Sequence, residues 1–216
     1  MNWMLVLSTV IAYALGNIST GIIVGRLYGH IDIRKTGSGN AGTTNVMRTL
    51  GWLPSVLTLV GDVLKAFIAV KIGRALAGET GGYISGIAVM CGHVWPVLYQ
   101  FRGGKGMACA LGVILANDAW LALALLGIQV VVVAATRYMS VASLVTSVLY
   151  PVIVAVTRPG NVRYIIFAAC MSVLTIFCHR ANIKRLIEKK ENRLDFEKIS
   201  SLGRKIKQKH EERKNR

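Results

Sequence analysis

Carboxylates are scarce in this chain, with only ten Asp and Glu among 216 residues, and before His179 they are Asp32, Asp62, Glu79 and Asp118 alone. Acids so dispersed do not suggest the oxygen cage that a hard divalent cation requires, so no metal is expected. Four cysteines, Cys91, Cys109, Cys170 and Cys178, lack the paired spacings of a zinc site. Each lies in or beside an apolar run, where a free cysteine is ordinary packing. There is no Gly-x-Ser-x-Gly elbow, which argues against a serine-nucleophile hydrolase. Nor is any histidine followed by aspartate five positions on: after His93 and His179 those positions hold Leu98 and Lys184, so a His-x4-Asp dyad is absent. Gly103-Gly104-Lys105 superficially resembles a nucleotide-binding P-loop, but Gly106 follows where the magnesium-holding Ser or Thr would stand.

What the chain has in quantity is apolar surface. It is 53% hydrophobic, with a mean hydropathy of +0.50, the composition of an all-α integral membrane protein. Apolar runs fall at about 3–24, 52–70, 83–99, 107–116, 119–135, 141–156 and 164–178. Most approach the roughly 17 to 25 residues that cross a bilayer as a helix. The fourth run would rise only about 15 Å, so it is a short or broken segment. Asn117-Asp118 separates it from the fifth, and a polar pair costs little at a turn but much at mid-bilayer. Seven spans are therefore expected. No basic region or small-residue cleavage site marks the first run as a leader, so it reads as a retained span.

The formal net charge of +16 is mostly a tail property, because more than half of the 26 Lys and Arg lie from His179 onward. This placement suits anionic lipid headgroups and argues against a nucleic-acid partner. With seven spans, the positive-inside rule places the N-terminus outside and the C-terminus in the cytoplasm. Two parts are expected: a polytopic membrane domain over 1–187, and a basic tail over 188–216, partly helical or disordered and dispensable for chemistry.

Three polar segments then fall on one face. Gly37, Ser38, Gly39, Asn40, Ala41, Gly42, Thr43, Thr44 and Asn45, followed by Arg48, form a glycine-rich cassette that lipid cannot accommodate unless it is buried in protein or lines a wet cavity. Its glycines let the backbone curl into an anion nest, completed by hydroxyls, amides and Arg48; a flexible polar loop is the plainer alternative. The second segment is Gly92-His93-Val94-Trp95-Pro96, then Phe101-Arg102-Gly103-Gly104-Lys105-Gly106, where two cations and three glycines precede a helix as an anion clamp. Here His93 alone reads as a structural hydrogen-bonder. The third is His179-Arg180-Ala181-Asn182-Ile183-Lys184-Arg185, in which helical spacing puts His179 and Asn182 near one face while Arg180 snorkels to headgroups. Asp62 and Lys65 form a further pair inside the second run, either a site or a purely structural ion pair. Residues alone leave two classes open, an enzyme handling phosphate and a transporter or channel for an anionic phosphorylated solute. The lack of an internal repeat weighs against the transporter.

Taken in order, the motifs at 37–48, 92–106 and 179–186 resemble the bacterial membrane family of acyl-phosphate:glycerol-3-phosphate acyltransferases, a likeness that spans nearly everything except the tail. The resemblance implies an enzyme of the bacterial cytoplasmic membrane with a cytoplasmic site and no cofactor. It would transfer a fatty acyl group from acyl phosphate to the 1-hydroxyl of sn-glycerol 3-phosphate, giving lysophosphatidic acid and inorganic phosphate. By motif position, Ser38, Arg48, Lys105, His179 and Asn182 would be catalytic. Gly37, Gly39, Asn40, Gly42, Thr44, Asn45, Gly103, Gly104 and Gly106 would bind substrate, and Asp62 and Lys65 match the family's polar pair. The chain departs from the pattern at Asn17-Ile18-Ser19 for Ser-Ile-Pro, at Arg102 for lysine, and at Lys189, where the third motif has glycine before Glu191.

Overall fold

The computed structural model describes residues 3–197, Ile199 and Ser201. Among these the fold is all-α, without strands: α1 Trp3–Asn17, α2 Thr20–Gly29, α3 Thr43–Leu50, α4 Trp52–Val94, α5 Met107–Asn117, α6 Ala119–Thr136, α7 Met139–Thr157, α8 Val162–Cys178 and α9 Arg180–Ile187. Four stretches are long and apolar enough to cross a membrane, Trp3–Gly29, Trp52–Tyr99, Ala119–Thr136 and Met139–Thr157, and a fifth if α8 and α9, bent by 56°, count as one. Length and composition thus give four or five rather than the expected seven. The gap arises from α5, which is too short, and from α4, which contains two limbs.

The division of α4 lies at Ala77 and Gly78, where the backbone leaves helical geometry, Gly78 at φ 65° and ψ −159°. Glycine occupies that region without a Cβ penalty. The helix doubles back there: Gly73 sits against Gly81 and Ser85, residues that a straight helix would hold about 12 to 18 Å away at 1.5 Å per residue. The second limb then packs along α1, with Gly16 and Gly92 so close that a Cβ on either would press into the backbone of the other. Small residues of this kind let helices approach where dispersion and hydrogen bonds, rather than hydrophobic exclusion, hold them.

Between α1 and α2 the helix breaks at Ile18-Ser19 and frees carbonyls in an apolar setting. Lys65 takes them: its Nζ donates to Ile18 O at 2.5 Å and Gly16 O at 3.2 Å. It also meets Asp62 Oδ1 at 2.8 Å and His93 Nδ1 at 2.9 Å, all buried. An ammonium has only donors, so His93 accepts through Nδ1. The buried Lys65–Asp62–His93 knot thereby ties both limbs of α4 to the α1–α2 break.

The turn expected at Asn117-Asp118 is present. Asp118 accepts from Leu121 N at 3.1 Å as the N-cap of α6 and pairs with Arg158, while Asn117 accepts from Arg74 at 2.7 Å. Nearby, Tyr83 stacks on Phe167 at 4.8 Å and on Tyr164 at 5.6 Å, filling the space between α4 and α8.

Candidate active site

One cavity of about 690 Å³ gathers the three polar segments on its wall. Ser38, Asn40, Gly42, Thr44, Asn45 and Arg48 come from the cassette, Lys105 and Gly106 from the loop before α5, and His179 and Asn182 from the α8–α9 bend. Gly37, Gly39, Gly103 and Gly104 are not on that wall. They shape it from behind: Gly103 N donates to Val94 O at 3.2 Å and Gly104 N to His93 O at 3.1 Å, which folds the Lys105 loop back over the end of α4.

The cassette is organised from within. Asn45, 2% exposed, accepts from Ser38 N at 2.8 Å and donates to Ile33 O at 2.9 Å and Thr36 O at 3.0 Å. Gly37, at φ 58°, makes the turn that brings Ser38 to this amide. Asn40 Oδ1 accepts from Gly42 N at 3.0 Å. Several amides expected to point at an anion are therefore bonded inside the loop, and Asn45 in this structure positions the loop. Asp32 and Arg34 brace its approach: the Arg34 guanidinium forks onto Asp32, donates to Tyr99 O at 3.0 Å and holds the Asp32 carboxyl down at about 2.

Opposite the cassette runs a continuous polar chain. Lys105 Nζ donates to Asn182 Oδ1 at 2.5 Å, Asn182 Nδ2 to Glu191 Oε1 at 2.8 Å, and Arg185 Nε to Glu191 Oε2 at 2.8 Å. Glu191 is 4% exposed in its side chain, so it is a buried carboxylate that fixes both Asn182 and Arg185. Burial, and then the charge of Arg185, lower Lys105 to about 8, with Glu191 offsetting part of the shift. Burial also pulls Arg48 down from its ordinary value, although a guanidinium remains cationic. Arg48 Nη2 donates to Asn192 O at 3.1 Å, while its buried Nε has no partner among the described residues. His179 approaches Thr175 O through Nδ1 at 2.8 Å. A carbonyl only accepts, so Nδ1 carries the proton and Nε2 is left as the ring's acceptor.

On the wall Arg48, Lys105, Arg137 and Arg185 outnumber the two lining carboxylates, Asp62 and Glu191, and Asp62 is already paired with Lys65, so the mouth carries a cationic excess that suits anions. Arg102 is exposed, so the clamp expected from two cations rests on Lys105. Arg180 lies over the Phe177 ring at 4.4 Å, outside the cavity. From this mouth the cavity continues between helices as an apolar arm along Leu111 and Ile114 of α5, Leu126 and Val130 of α6, and Met171 of α8, down to Tyr150. The α7 side of the arm is made of Ser143, Thr146 and Ser147, whose hydroxyls donate to carbonyls one turn back at 2.6 to 2.9 Å. With their polar atoms satisfied, these small residues leave room for a long chain. Asp62, His93 and Cys109 bring potential metal-ligand atoms within 4.8 Å of one another. Lys65 already supplies the cation there.

Residues 6–189 match the family model described as glycerol-3-phosphate acyltransferase. The glycerol-3-phosphate acyltransferase of Thermoanaerobacter sp. (strain X514) is 44% identical over 189 residues, covering 88% of this chain and 95% of the relative. That of Clostridioides difficile (strain 630) is 41% identical, covering 89% and 97%. Among solved structures, the fold is similar to the crystal structure of PlsY (YgiH), an integral membrane glycerol 3-phosphate acyltransferase. Its glycerol 3-phosphate form gives a TM-score of 0.83 at 35% identity, covering 88% of this chain and 96% of that one. Its lysophosphatidic acid form gives 0.83 at 34% identity, covering 90% and 97%.

Proposed function

The chain belongs to the glycerol-3-phosphate acyltransferase family, and from that premise we propose that its cavity transfers a fatty acyl group from acyl phosphate to the 1-hydroxyl of sn-glycerol 3-phosphate. The products are lysophosphatidic acid and inorganic phosphate. The observation that carries this reading is the joining of a cation-rich mouth to a long apolar arm in one cavity. A carrier of a small phosphorylated solute has no use for such an arm. The acyl chain lies in the arm, and both phosphates lie at the mouth.

Acyl phosphate already contains a good leaving group, so the protein acts by positioning and by charge neutralisation. The 1-hydroxyl oxygen bonds to the acyl carbon, the bond from that carbon to the phosphate oxygen breaks, and the phosphate leaves carrying the hydroxyl proton. Arg48 and Lys105 neutralise the phosphates. Ser38, Asn182 and the Nε2 face of His179 orient the hydroxyl and the reacting carbonyl, while Asn45 and Glu191 hold the surrounding frame. This chemistry requires no cofactor.

The same reading places the protein in the bacterial cytoplasmic membrane with its site and C-terminus in the cytoplasm and its N-terminus outside. Seven segments cross or enter the bilayer once the two limbs of α4 and the short α5 are counted separately. The basic tail meets anionic headgroups.

The test uses the full chain purified in detergent with palmitoyl phosphate and glycerol 3-phosphate, following lysophosphatidic acid and inorganic phosphate together. Equal release of both is expected. Absence of product with either acyl phosphate or acyl-CoA would overturn the enzyme reading, and product from acyl-CoA alone would overturn the donor.

A further inference from the structure

The family match ends at residue 189, yet the next residues run across the cavity. Beyond α9, Lys189 at φ 55° turns the chain, and Lys190 N caps back onto Arg185 O at 2.8 Å. Asn192 O then accepts from Arg48. Arg193 donates to the Tyr138 hydroxyl at 2.9 Å and covers its ring, and Leu194 N donates to Arg137 O at 2.8 Å. Leu194 and Ile199 are 2% and 3% exposed and pack with Met47, Val133 and Met139. Phe196 stacks on Trp52 at 6.1 Å with the rings within 6° of parallel, and both line the cavity. This stretch therefore bridges the α3–α4 junction to the α6–α7 corner through one backbone bond, side-chain bonds from Arg48 and Arg193, an apolar cluster and a ring stack.

We propose that Asn192–Glu197 together with Ile199 form a strap that belongs to the substrate site, with the Asn192 carbonyl positioning Arg48 for phosphate and Phe196, on Trp52, walling the acyl arm. The inference rests on the acyltransferase reading for its substrates. Sequence composition assigns these residues to a dispensable tail, whereas the strap extends the functional chain to about residue 199. Among the described residues the Arg48 guanidinium has one hydrogen-bond partner, Asn192 O, so removing the strap leaves it present but free to leave its place. The effect falls on binding before it falls on turnover. A hydrogen bond to a charged group is worth roughly a tenfold or greater change in equilibrium, and a ring that walls an apolar arm selects among chain lengths by area contacted.

The experiment compares the full chain with a chain ending at Ser201, a chain ending at Glu191, and Phe196→Ala, assayed with lauroyl, palmitoyl and stearoyl phosphate. Ending at Ser201 should leave both KM values unchanged. Ending at Glu191 should raise the KM for glycerol 3-phosphate about tenfold with kcat within about threefold. Phe196→Ala should shift the preference among the three acyl phosphates while leaving the KM for glycerol 3-phosphate in place. Because a shortened chain can fail to fold, the point variant stands as the independent arm: unchanged chain-length preference in Phe196→Ala overturns the wall. Unchanged KM for glycerol 3-phosphate in a monodisperse chain ending at Glu191 overturns the positioning of Arg48. Should the full chain turn over nothing, the acyltransferase reading fails separately, and the strap is then read by calorimetric binding of inorganic phosphate. Weaker binding in the chain ending at Glu191 supports the strap, and equal binding overturns it.

Discussion

Two buried polar clusters lie in this apolar protein, and they are built on opposite principles. Around Lys65, the ammonium meets Asp62, His93, Ile18 O and Gly16 O within 3.2 Å, so one cation is matched by one carboxylate and its donors are taken, although the Asp62 oxygens gain no hydrogen bond beyond that ion pair among the described residues. Around Lys105, three cations share Glu191, and Arg48 Nε remains without a partner among the described residues. A charge-balanced cluster of this kind holds helices together. A cation-rich one with an unpaired buried donor is suited to anions, because buried charge without a partner persists only where a ligand or function compensates it.

The sharpest way to break this distinction is to cut each cluster at its lysine. Lys65→Met leaves Asp62 buried without its cation and the Gly16 and Ile18 carbonyls without a donor. A loss of about 3–5 kcal/mol is expected, read as a lower melting temperature and a poor yield of monodisperse protein. A Lys65→Met protein that melts like wild type yet has lost turnover would move Lys65 into the site and erase the contrast. Lys105→Ala should do the reverse, with turnover falling by about 10²–10³-fold or more while insertion and melting stay near wild type. Near-normal turnover would remove Lys105 from the chemistry.

Much of this contrast is legible in the chain and some is not. The apolar runs locate the helices, Asn117-Asp118 marks a turn, and three glycine-rich or basic motifs point to one anion site, because lipid excludes such segments unless they line a cavity. The reversal within α4 is legible as two apolar runs, 52–70 and 83–99, but its tightness is not: helix continues past both runs into Lys71, Arg74 and Glu79 and breaks only at Ala77 and Gly78, because the backbone bonds of a helix are indifferent to side-chain polarity. Whether Asn45 faces a ligand or its own loop is decided by tertiary distances to Ile33 and Thr36, which motif spacing does not contain. The 190s read as tail because Lys and Glu dominate the composition. Leu194, Phe196 and Ile199 are the local signal, too sparse to be recognised without knowing that Met47 and Trp52 stand opposite.

A smaller effect follows from the excess of positive charge at the mouth. With Lys105 lowered to about 8, the free protein keeps its cation below that pH and loses it as the pH rises through it. Since kcat/KM reports the free enzyme, it should fall by up to about tenfold per pH unit above 8. Lys105→Arg, if active, should flatten that limb, because a guanidinium stays charged. A wild-type profile that is flat to pH 9.5 or so would mean that Lys105 is held charged in the free protein, more like Arg48 than like a tunable amine.

The smallest expected effect concerns how the cation-rich cluster is framed. Glu191 reaches Asn182 and Arg185 only because the chain turns at Lys189, which sits at φ 55°, at the position where the resembling family has glycine. A side chain in that region costs about 1–2 kcal/mol, and glycine gives back part of that gain through the entropy of the unfolded chain. Lys189→Gly should therefore stabilise the protein by about 0.5–1 kcal/mol and leave the KM for glycerol 3-phosphate unchanged. The Lys189 ammonium has no ion-pair or hydrogen-bond partner among the described residues, so its charge is not what the position supplies. If Lys189→Gly instead raises that KM, the lysine contributes charge to the mouth and the cationic excess is larger than Arg48, Lys105, Arg137 and Arg185 account for. If it destabilises, the turn draws support from the Lys189 side chain, and Glu191 is held by more than backbone geometry.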